Sequence, residues 1–201
     1  MNHLVVYVHG KGGSADEAEH YRPLFGGCEC EVVGFDYRAQ TPWDAREEFP
    51  RFFEQLRSSC DSLTLIANSI GAFFSMSALN SEYVDRALFI SPVVDMENMI
   101  RNMMSRANVT EDELRARKEI RTDFGETLSW DWLCDVRNHP LQWTVPTRIL
   151  YGDRDNLTSP ETMSAFAARI NAPLTVMPGG EHWFHTPEQM AFLDKWIMDS
   201  I

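Results

Sequence analysis

The sequence predicts an α/β domain, a mostly parallel six-stranded sheet with helices on both faces. Three observations lead there. Short apolar runs alternate with amphipathic segments, as in βαβ units. Several of those runs are apolar throughout, the pattern of strands covered on both faces. Helix start signals recur between them. A chain of 201 residues, 44% of them hydrophobic, suffices for one well-packed domain and is short for two.

The first strand is expected over 3–8. It is too short for a signal-peptide core and no basic leader precedes it. A glycine-rich loop follows, Val8-His9-Gly10-Lys11-Gly12-Gly13-Ser14, in which Ser14 and Glu17 form a capping box. The second strand is expected over 31–37. Thr41-Pro42 then starts a helix whose Phe49, Phe52, Phe53 and Leu56 share a core-facing side. A strand over 63–68 runs into a helix over 72–79, and a fourth strand covers 87–92. The fifth and sixth strands are expected over 147–152 and 174–177. Ser159-Pro160 and Thr186-Pro187 open the last two helices, with Gln189 completing a second capping box. Met163, Phe166 and Ile170 form one core face, and Met190, Leu193 and Ile197 another.

One interval breaks this rhythm. About fifty residues separate the fourth strand from the fifth, far more than an ordinary connection. The interval holds Met96, Met99, Met103 and Met104, a capped charged helix over 110–121, and the tryptophans Trp130, Trp132 and Trp143.

The pentapeptide Ala67-Asn68-Ser69-Ile70-Gly71 lies at the junction of the third strand and the following helix. A serine between small residues at such a junction has the layout of a nucleophile elbow. The turn strains the serine backbone, and bulky residues two positions away would strike the neighbouring strand and helix. Ala67 and Gly71 avoid that collision. The plainer reading of Ser69 is a helix N-cap.

With this elbow, the chain resembles the α/β-hydrolase family, whose usual pattern is G-x-S-x-G. Ala67 departs from the first glycine but is still small. The resemblance runs from His3 to the last helix. The family usually has two further strands in front, so a trimmed six-stranded sheet is expected here. Members often insert a lid after the fourth of these strands, which makes 95–145 a small helical lid within a single domain, 1–201. A plain helical excursion packed on the core is the alternative.

An acyl-transfer site needs a nucleophile, a base, a group that orients the base, and donors for the developing oxyanion. In a parallel sheet these converge at the strands' carboxyl ends. Pro178-Gly179-Gly180-Glu181-His182 follows the last strand, and histidine exchanges protons near neutral pH. The family pattern favours His182 as base. His185, just before the Thr186 cap, is the runner-up, with a plainer role at the helix start. Gly152-Asp153-Arg154-Asp155 ends the fifth strand, and the family's G-x-x-D pattern points to Asp155 as the orienting acid. Asp153 stays open as the alternative, or as a residue that pairs with Arg154 or shapes the turn. In hydrolases with an HG-x loop, one oxyanion donor is the amide after His-Gly. Carried over, the donors are the backbone N–H groups of Lys11 and Ile70. The order Ser69, Asp155, His182 is the one expected of this fold.

Other chemistries fit less well. The glycine loop lacks both G-x-x-x-x-G-K-[ST] and G-x-G-x-x-G spacing, which argues against a phosphate loop. His9 is read as a prop for its loop. His3, His20 and His139 show no ligand spacing, so no metal and no cofactor is expected. Cys28, Cys30, Cys60 and Cys134 match no zinc pattern and stand at no elbow, and are read as reduced thiols of a cytoplasmic protein. A formal net charge of -12 disfavours nucleic acid and anionic membrane surfaces as partners. The expected function is a serine hydrolase acting on an ester, thioester or activated amide of a small, apolar acyl substrate. A lyase or perhydrolase on the same scaffold, and a silent binding protein, are the rival readings.

Overall fold

In the computed structural model, residues 2–27 and 30–201 are described. In chain order the main elements are β1 (His3–Val8), α1 (Ala18–Tyr21), β2 (Cys30–Gly34), α2 (Pro42–Arg57), β3 (Ser62–Asn68), α3 (Ile70–Ala78), β4 (Arg86–Ile90), α4 (Met96–Arg106) and α5 (Glu111–Arg117). They continue with β5 (Glu119–Arg121), β6 (Thr127–Ser129), α6 (Trp130–Asn138), β7 (Thr147–Gly152), α7 (Pro160–Arg169), β8 (Leu174–Met177) and α8 (Pro187–Met198). The chain divides into two compact units, one of Met1–Val94 with Gln142–Ile201 and one of Asp95–Leu141.

The first unit holds a six-stranded sheet in the order β2-β1-β3-β4-β7-β8, with every pairing parallel. β1 pairs with β2 on one side and β3 on the other, so the strand order reverses there. Val8 lies opposite Ala67, which brings the loops after β1 and β3 out side by side. Such a reversal opens a crevice at the strands' carboxyl ends.

Alternate strand residues serve opposite faces. Val5, Tyr7, Ile66, Leu88 and Leu150 belong to one core cluster with Tyr21 of α1 and Leu193, Trp196 and Ile197 of α8. Their neighbours Leu4, Val6, Leu65 and Phe89 are equally buried from the other side. There Phe49 and Phe53 of α2 meet Phe35, and Phe74 of α3 meets Tyr37 and Phe49. Each such aromatic contributes about 1.5–3 kcal/mol on burial. Helices therefore cover both faces, which is why the central strands β1, β3 and β4 are almost wholly buried.

The helix starts carry their expected caps. Thr41, Ser159 and Thr186 each accept a hydrogen bond from the N–H three residues on, at 3.2 Å. The box at Thr186 is only half formed. Gln189 Oε1 accepts from the His185 N–H at 3.1 Å, one residue before the cap.

Two strands end earlier than the apolar runs suggest. β2 stops at Gly34, where a Cβ would meet the Ala15 carbonyl oxygen at 1.9 Å. β4 stops at Ile90 because Ser91 turns into the left-handed region (φ 42°) and Pro92 has no N–H to donate.

The second unit comprises α4, α5, the antiparallel β5–β6 pair and α6. It is thus not purely helical. The helix expected over 110–121 ends at Arg117, Lys118 adopts φ 68°, and the chain continues as a strand. Arg137 bridges Glu97 at 2.8 Å and Glu111 at 2.7 Å. Its guanidinium holds the Glu111 carboxyl below the usual range. Trp143 is core of the sheet unit instead: it packs on Phe89 at 5.4 Å and donates from Nε1 to Thr147 Oγ1 at 2.7 Å.

Gly71 shows how tightly the elbow is fitted. A Cβ there would meet the backbone oxygens of His9 at 2.3 Å and Val8 at 2.9 Å. Both obstacles are main chain and cannot rotate away. Gly71→Ala is expected to cost about 3 kcal/mol of stability, read as a lower urea midpoint at unchanged m value. An unchanged midpoint would show that α3 and β1 can separate freely.

Candidate active site

Ser69 sits between β3 and α3 at φ 52° and ψ -120°. A non-glycine residue in that region is strained, at a cost on the order of 1–3 kcal/mol. The surroundings hold it there. Its N–H donates to Ile90 O at 3.0 Å, and its carbonyl accepts from Ala72 N at 3.2 Å and Val93 N at 3.2 Å. The turn after β4 therefore grips the serine backbone from both ends.

The structure brings Ser69, His182 and Asp155 together although they are far apart in the chain. Ser69 Oγ lies 2.8 Å from His182 Nε2, and His182 Nδ1 lies 2.7 Å from Asp155 Oδ2. A carboxylate only accepts, so Nδ1 carries the proton and Nε2 presents a lone pair to the hydroxyl. The Asp155 side chain is fully buried, and that of His182 is 16% exposed. The second Asp155 oxygen accepts from the N–H groups of Leu157 at 2.8 Å and Thr158 at 3.1 Å. Its remaining lone pairs are thus committed, and the carboxylate cannot swing away from the ring.

Backbone contacts join the loops that carry these side chains. Arg154 N donates to Gly180 O at 2.8 Å. A Cβ on Gly152 would strike that same oxygen at 2.3 Å. Asp153 turns away from the imidazole and accepts from the Gly179 N–H at 2.7 Å, shaping the turn that leads to His182. His185 faces neither Ser69 nor Asp155: its Nδ1 contacts Trp183 O at 2.7 Å and its ring stacks on Trp183.

The loop after β1 closes the other side. Gly13 N donates to Gly10 O at 3.1 Å across a turn whose third residue, Gly12, has φ 77°. Such a turn requires glycine at that position. Lys11 is the second residue of the turn, and Ile70 opens α3. A Cβ on Gly10 would lie 3.2 Å from Ser69 Cβ, so the loop rests directly against the elbow. His9 is a prop here. Its ring stacks on Tyr37 at 4.3 Å, Nδ1 contacts Gly10 O at 2.8 Å, and its carbonyl accepts from the Tyr37 hydroxyl at 2.9 Å.

A model of the alpha/beta hydrolase family matches residues 5–194, nearly the whole chain. The chain belongs to the α/β-hydrolase family. No curated protein matches the sequence. Among solved structures, alpha/beta hydrolase domain-containing protein 10 from mouse superposes with a TM-score of 0.77 at 15% identity, over 98% of this chain and 88% of that one. Est1E from Butyrivibrio proteoclasticus, with ferulic acid bound, has a TM-score of 0.77 at 16% identity, over 98% and 87%. A monoacylglycerol lipase from Paleococcus ferrophilus has a TM-score of 0.65 at 16% identity, over 98% and 93%. At such identities the likeness is one of fold.

This member of the α/β-hydrolase family also holds its candidate site with residues that motif reading does not reveal. Buried Gln189 joins both flanks of His182: its amide donates to Glu181 Oε2 at 3.2 Å while its oxygen accepts from the His185 N–H at 3.1 Å. Tyr151 closes the Asp155 loop by donating to Thr158 O at 2.7 Å. Burial, with the Asp155 charge nearby, pushes its phenol up to about 12. Ser91 grips the elbow through its neighbours. The only sequence trace of these roles is position, next to a motif. Among the described residues no cluster of His, Cys, Asp and Glu could hold a metal ion, and no helix is long and apolar enough to cross a membrane. Cys60 and Cys134 are free thiols, and Cys28 lies outside the described residues.

Proposed function

We propose that this α/β-hydrolase is a serine hydrolase that cleaves an ester, thioester or activated amide of a small, apolar acyl substrate through an acyl-enzyme. The observation that carries the reading is the continuous hydrogen-bonded line from Ser69 Oγ through both ring nitrogens of His182 to buried Asp155. Ser69 Oγ attacks the acyl carbon as His182 Nε2 takes its proton. Asp155 holds the tautomer and stabilises the imidazolium. The N–H groups of Lys11 and Ile70 receive the oxyanion, a contribution of about 3 kcal/mol per donor. His182 then returns the proton to the departing oxygen, sulfur or nitrogen. Water, deprotonated by the same nitrogen, attacks the acyl-enzyme and releases the acid with Ser69 restored.

The similar structures include a monoacylglycerol lipase and a protein with bound ferulic acid, in keeping with acyl chemistry. We assign the Asp95–Leu141 unit, within the expected interval 95–145, the role of a small lid, on its place in the chain and its separate compactness. The site is expected to lie in the cytoplasm and to need no cofactor or metal.

A fluorophosphonate probe tests the reading. Incubation should add one phosphonyl group at Ser69, located by peptide mass spectrometry, and a panel of aryl esters of graded acyl length should then give the substrate class. An unmodified Ser69, or label on another residue, would refute the mechanism.

A further inference from the structure

Tyr7 is the penultimate residue of β1 and is 1% exposed, yet its hydroxyl is fully engaged. It donates to the Glu17 carboxylate through Oε2. It also accepts a side-chain hydrogen bond from Asn68, the residue before the nucleophile. The Tyr21 ring shields the phenol at 4.9 Å, and burial holds its pKa far above the ordinary value. The hydroxyl is therefore a fixed donor at neutral pH.

The other Glu17 oxygen faces the loop after β1. Oε1 accepts from the Ser14 N–H at 3.3 Å, and a Cβ on Gly13 would lie 2.5 Å from it. At the far end, Asn68 Cγ and Ser69 Cβ both border Gly10, at 3.9 Å and 3.2 Å from where its Cβ would stand. One line of side chains, Asn68 to Tyr7 to Glu17, thus joins the elbow to the two ends of the loop that contains Lys11. The acyl-transfer mechanism uses none of these three.

We propose that Tyr7 and Glu17 are positioning residues that fix the Gly10–Ser14 loop against the elbow, so that the N–H groups of Lys11 and Ile70 meet at one point. The proposal rests on the serine-hydrolase reading above. Neither side chain touches substrate. Their role is geometric: a donor displaced by an ångström stabilises an oxyanion far less, although the ground-state substrate still binds.

The test is steady-state kinetics on an aryl ester, with the second-order rate of fluorophosphonate labelling beside it. The phosphonyl oxygen occupies the oxyanion position, so both rates report the same geometry. Tyr7→Phe and Glu17→Ala should each lower kcat and the labelling rate by about 10-fold to 100-fold, short of the loss from deleting a donor outright. KM should stay within about twofold. Glu17→Gln keeps one accepting oxygen for the phenol and should lose less than Glu17→Ala. The double variant Tyr7→Phe/Glu17→Ala should be no slower than the worse single one, since the pair acts as a unit. Glu17 is exposed, so Glu17→Ala decides the matter should Tyr7→Phe not fold. Wild-type protein labelled at Ser69, with folded variants that label and turn over at the wild-type rate, would overturn this proposal alone. Wild-type protein that neither labels nor turns over would overturn the hydrolase reading itself.

Discussion

Ser69→Ala is expected to lower kcat by about four to six orders of magnitude and to abolish phosphonate labelling. In the proposed mechanism the hydroxyl 2.8 Å from His182 Nε2 is the group that forms the acyl bond. Alanine keeps the strained backbone and the hydrogen bonds to Ile90, Ala72 and Val93, so stability should change by less than about 0.5 kcal/mol. His182→Ala should be nearly as damaging, because an unassisted hydroxyl is a poor nucleophile at neutral pH. Nucleophile and base act as a unit, so the double variant should be no slower than either single one. Purified Ser69→Ala protein with substantial esterase activity would remove the mechanism, and a greater loss from His185→Ala than from His182→Ala would move the base.

Asp155→Asn is expected to lower kcat by about four orders of magnitude, for a reason the geometry makes specific. One carboxylate oxygen accepts from the N–H groups of Leu157 and Thr158. An amide placed here keeps its carbonyl oxygen on those donors and must turn its NH2 toward His182 Nδ1. Nδ1 then has to accept, so the ring proton moves to Nε2 and faces Ser69 with a donor in place of a lone pair. The base is silenced without any loss of shape. Asp153→Asn makes the informative contrast. Its contact is the Gly179 N–H at 2.7 Å, which an amide oxygen can still accept, so activity should fall by less than about tenfold. Rates of the two variants on one aryl ester decide between them, and the opposite ranking would hand the orienting role to Asp153.

Where the sequence was legible, a local rule was at work. Largely apolar runs marked β1 and β3 because strands buried on both faces have little polar side to show. Caps such as Thr41 and Ser159 marked helix starts because the orphan N–H groups of a first turn need an acceptor within three residues. The same logic failed where the deciding contact was distant. The end of β4 was misjudged because the turn at Ser91 sets it, and that turn leaves no mark in hydrophobicity. The strand after Lys118 was hidden within a charged segment whose pairing with β6 is tertiary.

By itself the sequence determined the parallel α/β framework, the small-x-Ser-x-Gly turn after the third strand of the sheet unit, and two glycine-flanked loops bearing acid and imidazole. Periodicity, turn chemistry and steric room are properties of neighbouring residues, and neighbours are what a sequence records. Only the tertiary structure decided which carboxylate meets His182, which histidine meets Ser69, and what braces the elbow. Those choices depend on hydrogen-bond directions between loops brought together by strand order, as when Asp153 is drawn to Gly179 and leaves Asp155 facing the ring.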